Sequence, residues 1–129
     1  MENIQVGAYN FQIDLSKPLY EQVLQQIRHA IARSDVLPGT KLPSVRELAQ
    51  QLKINPNTVM RAYQELDRDH LTETRRGQGT FITSDLDTVK QVKKALASEA
   101  ALAFVSSMKK LGIDRPTAES LLKEVAWHE

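Results

Sequence analysis

Apolar and polar residues alternate over Phe11-Gln12-Ile13-Asp14-Leu15, and a period of two puts Phe11, Ile13 and Leu15 on one face of a small edge strand. The period then lengthens. Leu19, Val23, Leu24, Ile27 and Ile31 recur at helical spacing, with Ser16 placed to cap and Pro18 near the first turn, where a missing N–H costs nothing. This predicts a helix over about residues 17–34. The run Leu37-Pro38-Gly39-Thr40-Lys41-Leu42-Pro43 stops it, because proline and glycine there demand an extended or turned backbone. Ser44 and Glu47 form a capping box ahead of a short stripe, Val45, Leu48, Ala49 and Leu52. After a tight connector, Lys53-Ile54-Asn55, Asn55 can cap a third helix with Pro56 at its first position and Val59, Ala62, Tyr63 and Leu66 on its buried side. Two short helices joined so tightly read as helix-turn-helix. Leu71 to Thr74 and Thr80 to Thr83 are β-prone runs around Arg75-Arg76-Gly77-Gln78-Gly79, whose glycines permit the positive φ of a hairpin. The hairpin supplies a wing.

From Asp85 to about Lys110 the pattern is one long helix, with Leu86, Val89, Val92, Leu96, Ala100, Ala103, Phe104 and Met108 on or near one face and Gly112 to end it. Asp114 and Pro116 start a last helix carrying Leu121, Leu122, Val125 and Trp127, too short to fold alone. The expected fold class is therefore α+β and mainly helical. A winged helix-turn-helix domain spans residues 11–84, and a two-helix dimerisation tail spans 85–129. Val89, Leu96, Ala100, Ala103 and Phe104 are the expected contacts between two copies, the alanines letting helices approach closely. The competing arrangement packs the same stripe onto its own chain and predicts a monomer.

Length and composition narrow the function. The 129 residues, 41% hydrophobic, suit one ordinary domain plus an appendage rather than a two-domain enzyme. There is no cysteine, hence no disulfide framework and no thiolate zinc site, and the start of the chain lacks a signal-peptide pattern. A cytoplasmic protein without membrane spans is expected. His29, His70 and His128 stand far apart without ligand spacing, so no metal is implied. No paired carboxylates, nucleophile with a nearby base, or phosphate-cradling glycine loop can be identified, so catalysis and a cofactor are not expected. The formal net charge of +1 conceals a local excess: residues 41–61 carry Lys41, Arg46, Lys53 and Arg61 against Glu47 alone. Arg75-Arg76 adds a basic pair beyond it, and such an uneven distribution marks a surface for a polyanion.

A helix that reads bases presents small or polar residues at the end entering the major groove and apolar ones behind. Asn57 and Thr58 would lie at that end of the third helix, with Arg61 one turn on, and the free N–H groups of the helix start would favour phosphate. Arg46 on the second helix could reach a phosphate or base edge, and Ser44 suits a phosphate contact. Arg75, Arg76, Gln78 and Gly79 would bring the wing to the backbone or minor groove. Tyr20 and Tyr63 belong to apolar stripes and read as core rather than as base-stacking platforms.

The runs Pro18-Leu19-Tyr20-Glu21-Gln22-Val23, Leu37 to Ala49, Asn57 to Tyr63 and Arg76 to Phe81 resemble the GntR family of transcription regulators over about residues 11–83. The resemblance implies a winged helix-turn-helix fold and carries DNA contacts onto Arg46, Asn57, Thr58, Arg61, Gln78 and Gly79. The short helical tail resembles the YtrA subfamily, whose members dimerise through such helices and are often encoded beside ABC transporters. A homodimer is therefore expected, and two-fold symmetry favours an inverted-repeat operator in double-stranded DNA, with repression the outcome. The 45 tail residues cannot enclose a sizeable ligand pocket, but a small-molecule effector could bind between the tail helices. Use of the winged helix as a protein-interaction module is the alternative. Many members have glycine after the recognition helix where this chain has His70, which tolerates the left-handed conformation better than most residues.

Overall fold

The computed structural model describes residues 2–125 and 127. His128, one of the three histidines read above as lacking metal-ligand spacing, lies outside the described residues. The chain divides into two compact units, Met1–Lys93 and Lys94–Glu129.

The first unit opens on a hairpin where a single strand is expected. β1 (Glu2–Val6) and β2 (Tyr9–Ile13) pair antiparallel, with Val6 opposite Tyr9 and Ile4 opposite Phe11. Gly7, at φ +58, makes the reversal between them. Val6, Tyr9, Phe11 and Ile13 are buried, whereas Leu15, expected on the same face, is exposed because the strand has ended at Ile13. Glutamines of the first helix, α1 (Leu19–Ala32), serve the other edge of β2. Gln26 accepts from the Gln12 N–H at 2.7 Å and donates to its carbonyl at 2.8 Å, and Gln22 does the same for Asp14 at 2.8 and 2.9 Å. These amides stand in for the neighbouring strand that β2 lacks.

Ser16 does not cap α1. Its N–H and hydroxyl both bond the Asp14 carboxylate, holding that carboxyl below its ordinary range, and Pro18 occupies the N-cap position without a side-chain bond. The Gln22 amide instead reaches back to the Lys17 and Pro18 carbonyls.

α2 (Val45–Leu52) and α3 (Pro56–Arg68) begin as their caps predict: Ser44 Oγ accepts from the Glu47 N–H at 3.0 Å, and Asn55 Oδ1 from the Asn57 N–H at 2.8 Å. Between them Lys53 takes φ +58, and the Ile54 N–H closes back on the Ala49 carbonyl, which makes the helix-turn-helix turn as short as expected. His70 adopts φ +61 at the end of α3, and the Leu71 N–H returns to the Leu66 carbonyl.

β3 (Thr72–Arg75) and β4 (Gly79–Ile82) form the wing. Its root is widened by the segment before α2: Leu42 N–H bonds Thr80 O at 2.8 Å and Ile82 N–H bonds Thr40 O at 2.8 Å. The core between hairpin, helices and wing is filled by Phe11, Val23, Ile27, Ile31, Leu48, Val59, Leu66, Leu71 and Ile82, all nearly inaccessible.

α4 (Leu86–Lys110) starts behind Asp85, which bonds the Asp87 N–H and the Thr88 hydroxyl, and its first turns place Val89 and Val92 against the core of the first unit. α5 (Arg115–Glu124) is capped by Asp114, whose carboxylate accepts from the Thr117 N–H at 3.0 Å. Hydrogen bonding from the Thr117 side chain, and then from its N–H, holds the carboxyl below its ordinary value of 3.8, so the cap is complete above that pH and disappears as pH falls through the lowered value. Val125 and Trp127, expected on this helix, lie past its end and are exposed. Among the described residues of the second unit only Ala118 is buried. No helix among the described residues is long and apolar enough to cross a membrane.

Candidate nucleic-acid interface

The buried side of α3, Val59, Ala62, Tyr63 and Leu66, packs against α1 and α2. Tyr63 does more than fill space: its hydroxyl donates to the Pro43 carbonyl at 2.7 Å, tying the helix to the segment before α2, and burial pushes its pKa up. With that side anchored, Asn57, Met60, Arg61, Gln64, Asp67 and Arg68 are left exposed, and Thr58 is half-buried. Asn57 and Arg61 stand one turn apart, as expected.

The start of α3 differs from expectation in one respect. Pro56 has no N–H, the Asn57 N–H goes to Asn55 Oδ1, and the Thr58 N–H bonds the Asn55 carbonyl at 3.0 Å. These backbone donors are already used, so phosphate binding at this end falls to side chains. Ser44 at the start of α2 likewise spends an oxygen lone pair on its cap, but its hydroxyl proton remains to donate. Arg46 is exposed and forms no ion pair among the described residues.

Two of the expected contact arginines lie on aromatic rings. The Arg61 guanidinium sits 3.7 Å from the centre of the Tyr20 ring, and the Arg75 guanidinium 4.1 Å from that of Phe81, with Glu73 Oε2 3.7 Å away. An aromatic face attracts the cation and leaves its in-plane N–H groups directed outward, where a phosphate or a guanine edge can accept them. Tyr20 is half-buried and borders the core as read, yet its exposed face serves Arg61. Tyr20→Leu, which keeps bulk but removes the π face, should weaken DNA binding about threefold, while Tyr20→Phe should leave it unchanged. Titration of a DNA duplex by fluorescence anisotropy checks both, and equal loss in the two variants would show that the ring face contributes nothing.

At the wing, Arg76 and Gln78 are exposed on a turn closed by the Gln78 N–H to the Arg75 carbonyl at 2.9 Å, with Gly77 at φ +77. Within the chain, the group that approaches Gly79 is Lys41: a Cβ on Gly79 would stand 2.6 Å from Lys41 Cε. Lys41, counted in the basic excess of residues 41–61 but not among the expected contacts, pairs with Phe81 as part of the widened wing root. Its charge was legible, but its position depends on pairing across the fold. Arg28, by contrast, is taken by an ion pair with Asp69.

Of the residues expected between copies, Val89 packs on the core of the first unit, Leu96 and Phe104 are half-buried, and Ala100 and Ala103 are exposed. Within the second unit, Ala101, Phe104, Val105, Met108, Ile113 and Leu122 line most of a groove of about 760 Å³ between α4 and α5. No group of metal-ligating side chains occurs among the described residues.

Residues 19–82 match the family model described as bacterial regulatory proteins, gntR family. The transcriptional regulator YhcF of Bacillus subtilis is 46% identical over 114 residues, which cover 88% of this chain and 92% of that one. The chain belongs to the GntR family. Its YtrA-like character shows in the transcriptional repressor YtrA of the same organism, 37% identical over 112 residues and 86% of each chain. Among solved structures, a GntR family transcriptional regulator from Listeria monocytogenes superposes with a TM-score of 0.81 at 38% identity, covering 88% of this chain and all of that one. In the GntR family the winged helix-turn-helix is a DNA-binding module of transcription regulators, so the protein is a regulator and not an enzyme.

Proposed function

We propose that the protein is a repressor that binds an inverted-repeat operator as a homodimer, with α3 in the major groove and the wing on the backbone or minor groove of each half-site. The observation that carries this is the exposed face of α3, where Asn57 and an aromatic-supported Arg61 stand clear of the core, together with the basic wing of the same unit. Arg46, Asn57, Thr58 and Arg61 are assigned to α2 and α3 contacts, and Ser44, Arg75, Arg76, Gln78 and Gly79 to phosphate and wing contacts. That the similar YtrA is a transcriptional repressor supports repression, and the YtrA-like resemblance makes a transporter operon the first regulated unit to test. Dimerisation is assigned to the α4–α5 unit, whose apolar residues find little cover within it. Two-fold symmetry then sets half-site centres roughly 34 Å apart, about one turn of the duplex. The tail groove is the place open to a small-molecule effector.

A mobility shift with footprinting on the promoter upstream of the protein's own operon, at two salt concentrations and against unrelated DNA, tests this reading. A protected inverted repeat is expected, with log K falling against log salt by about 0.9 per phosphate neutralised. Equal, salt-sensitive binding to both fragments would overturn sequence specificity, and no binding to either would favour a protein partner for the same surface.

A further inference from the structure

Met60 is 45% exposed on α3, a helix whose buried side is already filled by Val59, Ala62, Tyr63 and Leu66. It follows Asn57 by three residues and precedes Gln64 by four, spacings that put side chains on adjoining parts of one helix surface. Both neighbours are exposed. Met60 is therefore the apolar member of an exposed face otherwise made of Asn57, Arg61, Gln64, Asp67 and Arg68. Single exposed apolar side chains are ordinary on protein surfaces. This one stands on the surface of the recognition helix, and that placement limits what can cover it.

The major-groove edges of the four base pairs carry hydrogen-bond donors and acceptors, and one apolar group, the C5-methyl of thymine. A thioether cannot donate and accepts only weakly, so it gains nothing from the polar positions and gains burial from the methyl. We propose that Met60 is a specificity-determining residue that packs on a thymine methyl in each half-site. The inference rests on the reading of α3 as the groove-entering helix. Asn57, one turn away, fits the N6 and N7 edge of adenine, so the two side chains together favour A·T pairs under the first turns of α3. The unbranched methionine chain can adjust to the methyl without moving the backbone.

The test uses the full chain and duplexes selected by it from a random pool, in which each thymine of the protected site is replaced singly by uracil, removing one methyl and no hydrogen-bonding group. One thymine per half-site should give about a fourfold loss of wild-type affinity, the worth of one buried methyl group. Met60→Ala, which removes the contact from both half-sites of a homodimer, should cost about the square of that, roughly 16-fold, on the unmodified duplex and show no further loss with uracil at that position. The inference is overturned if no uracil weakens wild-type binding, or if the critical uracil weakens wild type and M60A equally. Failure of the pool to yield any protected site would overturn the operator reading itself, and this contact with it.

Discussion

Phe11→Ala is expected to lower the stability of the folded chain by about 3–5 kcal/mol, a large part of the roughly 5–15 kcal/mol that holds a domain together. Phe11 is 1% exposed, stacks on Tyr9 with ring centroids 5.9 Å apart, and belongs to the same core as α1, α2 and the wing. Truncation removes apolar burial and leaves a cavity whose walls are held by backbone pairing to β1. Leu15→Ala is the matched control. Leu15 is 68% exposed, so its loss should stay within about 0.5 kcal/mol even though the alternating pattern put it on the same face. Urea unfolding of both variants decides the matter, and a Phe11→Ala loss below about 1 kcal/mol would mean that the hairpin is an appendage rather than part of the core.

Phe104→Glu should convert the proposed homodimer to a monomer at micromolar concentration and lower its affinity for the proposed operator by about 100-fold, since the second half-site contact is then no longer intramolecular. Phe104 is half-buried and lines the groove between α4 and α5, in a unit where only Ala118 is buried among the described residues. A carboxylate there would be desolvated beneath a second copy, a cost that the groove cations Lys109 and Arg115 offset only in part. Because Phe104 also touches its own groove, Ala103→Glu serves beside it: Ala103 is exposed, so its replacement disturbs no intrachain packing. Sedimentation velocity and circular dichroism of both variants separate the cases. Two folded variants that remain dimeric would remove α4 from the interface.

Much of the first unit was legible because its signals are local. Ser44 with Glu47, and Asn55 with Pro56, announce helix starts through bonds that span two or three residues. Gly77 and Gly79 announce the wing turn for the same reason. What escaped reading depends on partners far along the chain. Ile4 and Val6 alternate as Phe11 and Ile13 do, but a strand of five residues became evident only through its pairing with β2. Ser16 was free to cap a helix or bond Asp14, and pattern alone could not choose. In the candidate site, Asn57, Arg61 and the wing arginines followed from charge and order, whereas the Tyr20 plate beneath Arg61 follows from α1 packing on α3. Met60 gives no signal of its own, because an apolar side chain on an amphipathic helix has the pattern of a core residue.

The stem of Lys41 lying across Gly79 has a consequence for how this surface responds to change. A side chain at position 79, where φ is +121, strains the backbone and displaces the lysine in one event, so the wing turn and a cation before α2 move together. Energies measured for the two positions separately will not add, and a double-mutant cycle between them should return a coupling of about 0.5 kcal/mol or more. Selection acting on the wing thus also acts on a charge encoded nearly forty residues earlier, and the two positions should drift as a pair.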